Sequence, residues 1–163
     1  MGLVTSLVIA LILIATLPLP AVAEVLGART ASVSVNSDIS VTITDGGAAN
    51  IVFGALDAGA TNILDTTANI TTPSISLSIA GTSIVDLQVS GTNFGTGFTV
   101  SNAKYNTTYS TTGTTAMSTT ATTFANEVNP GNTVDLWFWL DVPSSGVLAG
   151  AYSSTFTFEA IED

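Results

Sequence analysis

Polar and apolar side chains alternate strictly in several short segments of this chain, and that alternation restricts the fold more than any other feature. Ala31, Val33, Val35, Ile39, Val41 and Ile43 share one set of alternate positions, interrupted by Ser37, while Thr30, Ser32, Ser34, Asn36, Asp38, Ser40 and Thr42 take the other. The pattern recurs in Ile75, Leu77 and Ile79, in Val85, Leu87 and Val89, and in Val134, Leu136, Phe138, Leu140 and Val142. Successive strand residues point to opposite faces, so each segment reads as a strand with one apolar face. Beyond the apolar N-terminal stretch, no segment carries a helical period.

Turn formers separate these segments. Asp45-Gly46-Gly47, Gly81, Gly91, Pro130-Gly131-Asn132 and Pro143-Ser144-Ser145-Gly146 mark reversals. A short strand is expected around Ile51 and Phe53, a loop over residues 61–73, and a hairpin pairing residues 75–79 with 85–89 about Gly81. A further strand is expected around Phe98 and Val100, continuing to or flanked by Ala103 and Tyr105. The Thr-rich stretch 107–123 reads as extended loop or edge strand, and Tyr152, Phe156 and Phe158 mark the last strand. Together these predict an all-β chain folded as an antiparallel β-sandwich of about seven to nine strands. A closed barrel is the alternative.

Length and composition set the remaining limits. With 163 residues the chain accommodates an apolar N-terminal segment, residues 1–23, and one β-sandwich domain, residues 24–163. Hydrophobic residues make up 46% and charged residues 9%, a balance opposite to that of disordered chains. The net charge is −10, and Arg29 and Lys104 are the only basic side chains. Clustered cations that could neutralise phosphates are missing, which argues against nucleic-acid binding and against adhesion to anionic membranes. Cysteine and histidine are both absent. Disulfides, histidine-based nucleophile arrangements and the common zinc ligand sets are therefore unavailable. The expectation is a chain that is not an enzyme and takes no cofactor.

Residues 3–17 form a nearly unbroken apolar run, followed by Pro18, Pro20 and the small-x-small sequence Ala21-Val22-Ala23 before Glu24. One reading is a secretory signal cleaved after Ala23. The other is a retained assembly helix of the type IV pilin kind. Both confine membrane contact to export or assembly and place the mature domain outside the cell or on its surface.

Trp137-Phe138-Trp139-Leu140-Asp141-Val142-Pro143, followed by Ala149-Gly150-Ala151-Tyr152 and a final strand alternating Thr and Phe, resembles the terminal hairpin of secreted archaeal and bacterial immunoglobulin-like surface domains. Ile51-Val52-Phe53-Gly54-Ala55-Leu56-Asp57-Ala58-Gly59 is similar to an early strand of such chains. The resemblance implies an immunoglobulin-like sandwich and a role as a cell-surface or filament component. It covers most of residues 32–160 through turn and core patterns, which specify architecture more than activity.

Three groups of residues are candidates for function. The N-terminal strand, through Val33, Val35, Ile39, Val41 and Ile43, is a candidate assembly strand: its apolar face could enter a groove on a second copy, linking subunits by main-chain hydrogen bonds. Trp137 and Trp139 fall on the side of their strand opposite Leu136, Phe138 and Leu140. They are either a subunit contact or sugar-stacking platform, or covered by a loop of the same chain. Asn69-Ile70-Thr71 and Asn106-Thr107-Thr108 fit the N-glycosylation acceptor pattern, with Asn69 and Asn106 as acceptors. The dispersed carboxylates Asp45, Asp57, Asp65, Asp86, Glu127, Asp135, Asp141 and Glu159 read as solvated charges, with no calcium-loop spacing among them. The expected function is a structural subunit that self-associates into an extracellular, pilus-like filament, carrying glycans on its surface. A monomeric carbohydrate-binding or adhesion module, or a surface-layer component, is the alternative.

Overall fold

The computed structural model describes residues 32–45 and 50–163; the segment 1–23, Thr30, Ala31 and the expected turn at Gly46-Gly47 lie outside them. The main compact unit runs from Val35 to Asp163. Its described residues form nine strands: β1 (Ile39–Asp45), β2 (Ile63–Leu64), β3 (Ile75–Gly81), β4 (Val85–Gly91), β5 (Ala103–Asn106), β6 (Thr115–Ala116), β7 (Thr122–Val128), β8 (Thr133–Leu140) and β9 (Phe156–Glu162). Among the described residues the single helical element is one 3-10 turn, Val100–Asn102.

The strands form two sheets in which every pair is antiparallel. The larger has the order β1-β3-β8-β5-β6, with β2 pairing the end of β8 beyond β3; the smaller has the order β7-β4-β9. Period-two patterning explains the packing. Ile75, Leu77 and Ile79 of β3, with Leu136, Phe138 and Leu140 of β8, turn one face of the larger sheet inward, and Val85, Leu87 and Val89 of β4 belong to the same buried cluster. Phe138 sits at its centre with no exposed surface, its ring 5.3 Å from that of Phe156 and 6.3 Å from that of Phe158 on β9. The two-sheeted all-β arrangement and the core face of β8 agree with the alternation in the sequence.

Pairing differs from expectation in two places. β3 and β4 do not form a hairpin; they lie in different sheets. Alternation requires only that each strand bury one face, and here the two buried faces line a shared core across the sandwich. Gly81 makes this crossing at φ +93, where a Cβ would stand 2.3 Å from the carbonyl oxygen of Asp38. The N–H groups of Thr82 and Ser83 donate to that same oxygen at 2.9 and 3.4 Å, fastening the turn to the start of β1. Likewise β8 and β9 are not a terminal hairpin, because residues 141–155 carry the chain from one sheet to the other.

Other differences are local. Phe98 makes an isolated bridge to Gly95, and Val100 opens the 3-10 turn before β5, so the expected strand there begins only at Ala103. Tyr152 lies outside β9, and Ile51 and Phe53 lie outside the strands. The Thr-rich stretch supplies β6 and the first residues of β7.

Candidate assembly site

Among the described strands the sheet edges differ in how they are protected, and β2, which pairs only β8, is two residues long. β6 is two residues long. β7 is broken by two register shifts against β4, and Glu127 within it adopts φ 51. The Asp86 carboxylate accepts the N–H of Glu127 at 2.9 Å, steadying a bulge that makes this edge a poor template for another strand. β1 and β9 carry no such device. Each pairs its single neighbour through seven consecutive residues without a shift, and each leaves its other edge unpaired among the described strands.

These two long, unbulged edges approach one another at one end. Ser37 Oγ donates to Glu162 Oε1 at 2.5 Å, and Ser83 Oγ donates to the same oxygen at 3.0 Å. The Ser37 bond, then that of Ser83, holds the Glu162 carboxyl below its ordinary pKa range. Toward the other end lies a cavity of about 1100 Å³, lined by Ile43 of β1, Phe156 and Phe158 of β9, and residues 50–58 and 147–155. Its walls are largely apolar. Phe94 stacks on Phe98 with centroids 4.7 Å apart, Tyr152 meets Phe98 edge-on at 5.4 Å, and Phe94 meets Phe156 edge-on at 6.3 Å.

The irregular walls are tied down by polar groups. Asp65, with 1% of its surface exposed, accepts hydrogen bonds from the N–H of Val52 at 3.0 Å and from the N–H and hydroxyl of Thr67 at 3.2 and 3.0 Å. The N–H of Thr66 returns a bond to the Val52 carbonyl at 2.7 Å, which fixes Ile51 and Phe53 along the cavity. On the facing wall, the Tyr152 hydroxyl donates to the Leu148 carbonyl at 2.7 Å and accepts from the Leu148 N–H at 3.1 Å. Asp65 is thus a buried anchor and not a solvated carboxylate.

The candidate assembly strand divides in two. Ile39, Val41 and Ile43 belong to β1 of their own sheet, so they are not a free strand. The smaller sheet covers them only in part: Val41 packs against the core, whereas Ile39 is 40% and Ile43 48% exposed. Val33 and Val35 precede β1 outside any strand, and they are 89% and 73% exposed.

Trp137 and Trp139 are buried. With Leu64 and Ala68 they form a small second cluster on the outer face of the larger sheet. The Trp137 indole N–H donates to the Asn69 carbonyl at 2.8 Å, and the Tyr109 ring lies 6.4 and 6.3 Å from the two indoles. The pair therefore offers neither a sugar-stacking platform nor an exposed subunit contact, because its own chain covers it. Beside it, Lys104 Nζ lies 2.6 Å from Asp141 Oδ2 and donates to Asn62 Oδ1 at 2.7 Å, while the Asn62 N–H donates to Asp141 Oδ1 at 2.7 Å. Partial burial raises the Asp141 pKa, but the Lys104 hydrogen bond, the Asn62 N–H and the Lys104 charge together outweigh it and hold the carboxyl below its ordinary range. Asp135 accepts a bond from Ser76 Oγ at 2.5 Å. No group of three or more carboxylates that could hold a metal ion occurs among the described residues.

Of the two acceptor asparagines, Asn69 is exposed and Asn106 is half-buried at the end of β5. No known protein family and no curated protein matches this sequence.

Proposed function

We propose that this chain is the structural subunit of a self-assembling extracellular or cell-surface filament, and that the segment upstream of β1 in one copy occupies the cavity between β1 and β9 of the next. The observation that carries this reading is an apolar cavity flanked by two sheet edges that each run seven residues without a bulge. A strand added there would bond to free main-chain groups and cover the half-exposed Ile43, Phe156 and Phe158.

The same chain carries a matching donor. Ala31, Val33 and Val35 alternate with Thr30, Ser32, Ser34 and Asn36, so one face would enter the cavity and the other would meet water. Because donor and acceptor are different surfaces of each copy, the contact is head-to-tail and propagates into an open polymer. An immunoglobulin-like strand arrangement and kinship with secreted archaeal and bacterial surface domains belong to this same proposal. A monomeric module binding sugar through Trp137 and Trp139 has no exposed platform to use.

The test compares wild type with V33N/V35N by electron microscopy and sedimentation. Both valines are largely exposed in the single chain, so the substitutions should change its folding stability by no more than about 0.5 kcal/mol. In a filled cavity they would bury unpaired amides at roughly 1–3 kcal/mol each, at every joint. The reading expects a folded monomer with few or short filaments. Filaments of normal length and abundance from this variant would reject it.

A further inference from the structure

Two acceptor triplets occur in the described chain, and their asparagines differ in whether the side-chain nitrogen is engaged. Asn69 is exposed in the turn that covers Trp137. Its side-chain oxygen accepts from the Thr71 N–H at 2.9 Å, the Thr71 hydroxyl at 2.8 Å and the Thr72 N–H at 3.0 Å. Its side-chain nitrogen has no hydrogen-bond partner among the described residues. Main-chain bonds between Asn69 and Thr72 close the turn at 2.8 and 3.3 Å. The Asn106 side-chain oxygen likewise accepts from the N–H and the hydroxyl of Thr108, both at 3.4 Å, but its nitrogen is engaged as well. Its side-chain nitrogen donates to the carbonyls of Ser110 and Thr112 at 3.1 and 3.2 Å, closing the loop that follows β5.

We infer that Asn69 is the site of an N-linked oligosaccharide and that Asn106 is left unmodified. An amide nitrogen has two N–H bonds, and glycosylation replaces one of them. At Asn69 neither is engaged, and the oxygen that holds the turn is untouched by the reaction. At Asn106 both are engaged, so a sugar would break one bond and occupy the space of residues 107–112. The co-reactant is a sugar activated on a phosphate carrier, delivered by a glycosyltransferase. Asn69 Nδ2 bonds to the anomeric carbon and loses one proton; the bond from that carbon to the phosphate oxygen breaks, and the phosphate departs with the electron pair.

Placement favours this outcome. Ile70, next in the chain, is 70% exposed, and a glycan at Asn69 would shield it. Asn69 is not among the residues lining the cavity between β1 and β9, so a glycan there leaves the proposed joint free. In a chain with 9% charged residues, it also supplies surface hydration that few ionic groups provide. This inference rests on the export component of the proposed function, since the transfer needs an exported chain.

The experiment isolates the chain from the surface and interior fractions of the cells that make it, and determines the masses of the proteolytic peptides carrying Asn69 and Asn106. The expected result is a whole-sugar mass increment on the Asn69 peptide alone, in surface material. N69Q and T71A should abolish the increment, T71S should retain it, and N106Q should leave it unchanged. An unmodified Asn69 peptide in surface material, or an increment that survives N69Q on Asn106, would overturn the inference while leaving the filament reading intact. Recovery of the chain from the interior fraction alone would overturn both.

Discussion

Phe138 and Asp65 show how single side chains hold this sandwich. Phe138 joins the sheets through the rings of Phe156 and Phe158, and Phe138→Ala should cost about 3–5 kcal/mol, read as a shift in the chemical unfolding midpoint. Its role was legible in the sequence, since five alternating apolar positions define a buried face without any knowledge of partners. Asp65 was not legible. A carboxylate in a Thr-rich loop reads as solvated, and only closure of residues 61–73 over the sheet makes it a buried acceptor for Val52 and Thr67. Removing it leaves those N–H groups unpaired at roughly 1–3 kcal/mol each. D65A should therefore lower the unfolding midpoint and weaken assembly, because Ile51 and Phe53 lose their anchor along the cavity. The tryptophans carry the same lesson: alternation placed them on the outer face, but a loop distant in sequence covers them.

Elements were legible to the degree that they depend on local pattern. β3, β4 and β8 coincide with alternating runs, whereas sheet membership depends on pairing that alternation leaves open, so β3 and β4 resemble a hairpin and yet face each other across the core. β7 is harder still, because a bulged edge strand mixing Thr, Phe, Asn and Glu has no clean period. The element scale also carries a pH dependence. Lys104 of β5, Asn62 beside β2 and Asp141 after β8 tie three neighbouring strand ends together. The folded pKa of Asp141 is depressed, so its contribution is fully present above the unfolded value, about 3.9, and is lost as pH falls through the lower folded value. D141N should be less stable than wild type at neutral pH, and the difference should vanish on acidification below that range, as thermal unfolding across pH would show.

At the scale of the whole molecule, the architecture leaves two clean edges flanking an apolar cavity, in a chain whose upstream segment has the complementary alternation. That segment was visible in the sequence, but its division was not: where β1 begins depends on pairing with β3, which assigns Ile39, Val41 and Ile43 to the chain's own sheet and leaves Val33 and Val35 exposed. Strand donation between copies is the central claim, and the absence of native cysteine allows it to be tested directly. Single-cysteine chains would be prepared with cysteine replacing Val33 or Val35 in one set and Ala151, Ser154 or Phe158 in the other. Chains from the two sets are mixed under mild oxidation and resolved without reductant. The account predicts disulfide-linked heterodimers for at least one donor–cavity pair, formed during polymerisation and suppressed by a peptide spanning residues 24–37. Abundant filaments in which every such pair remains uncrosslinked would contradict it.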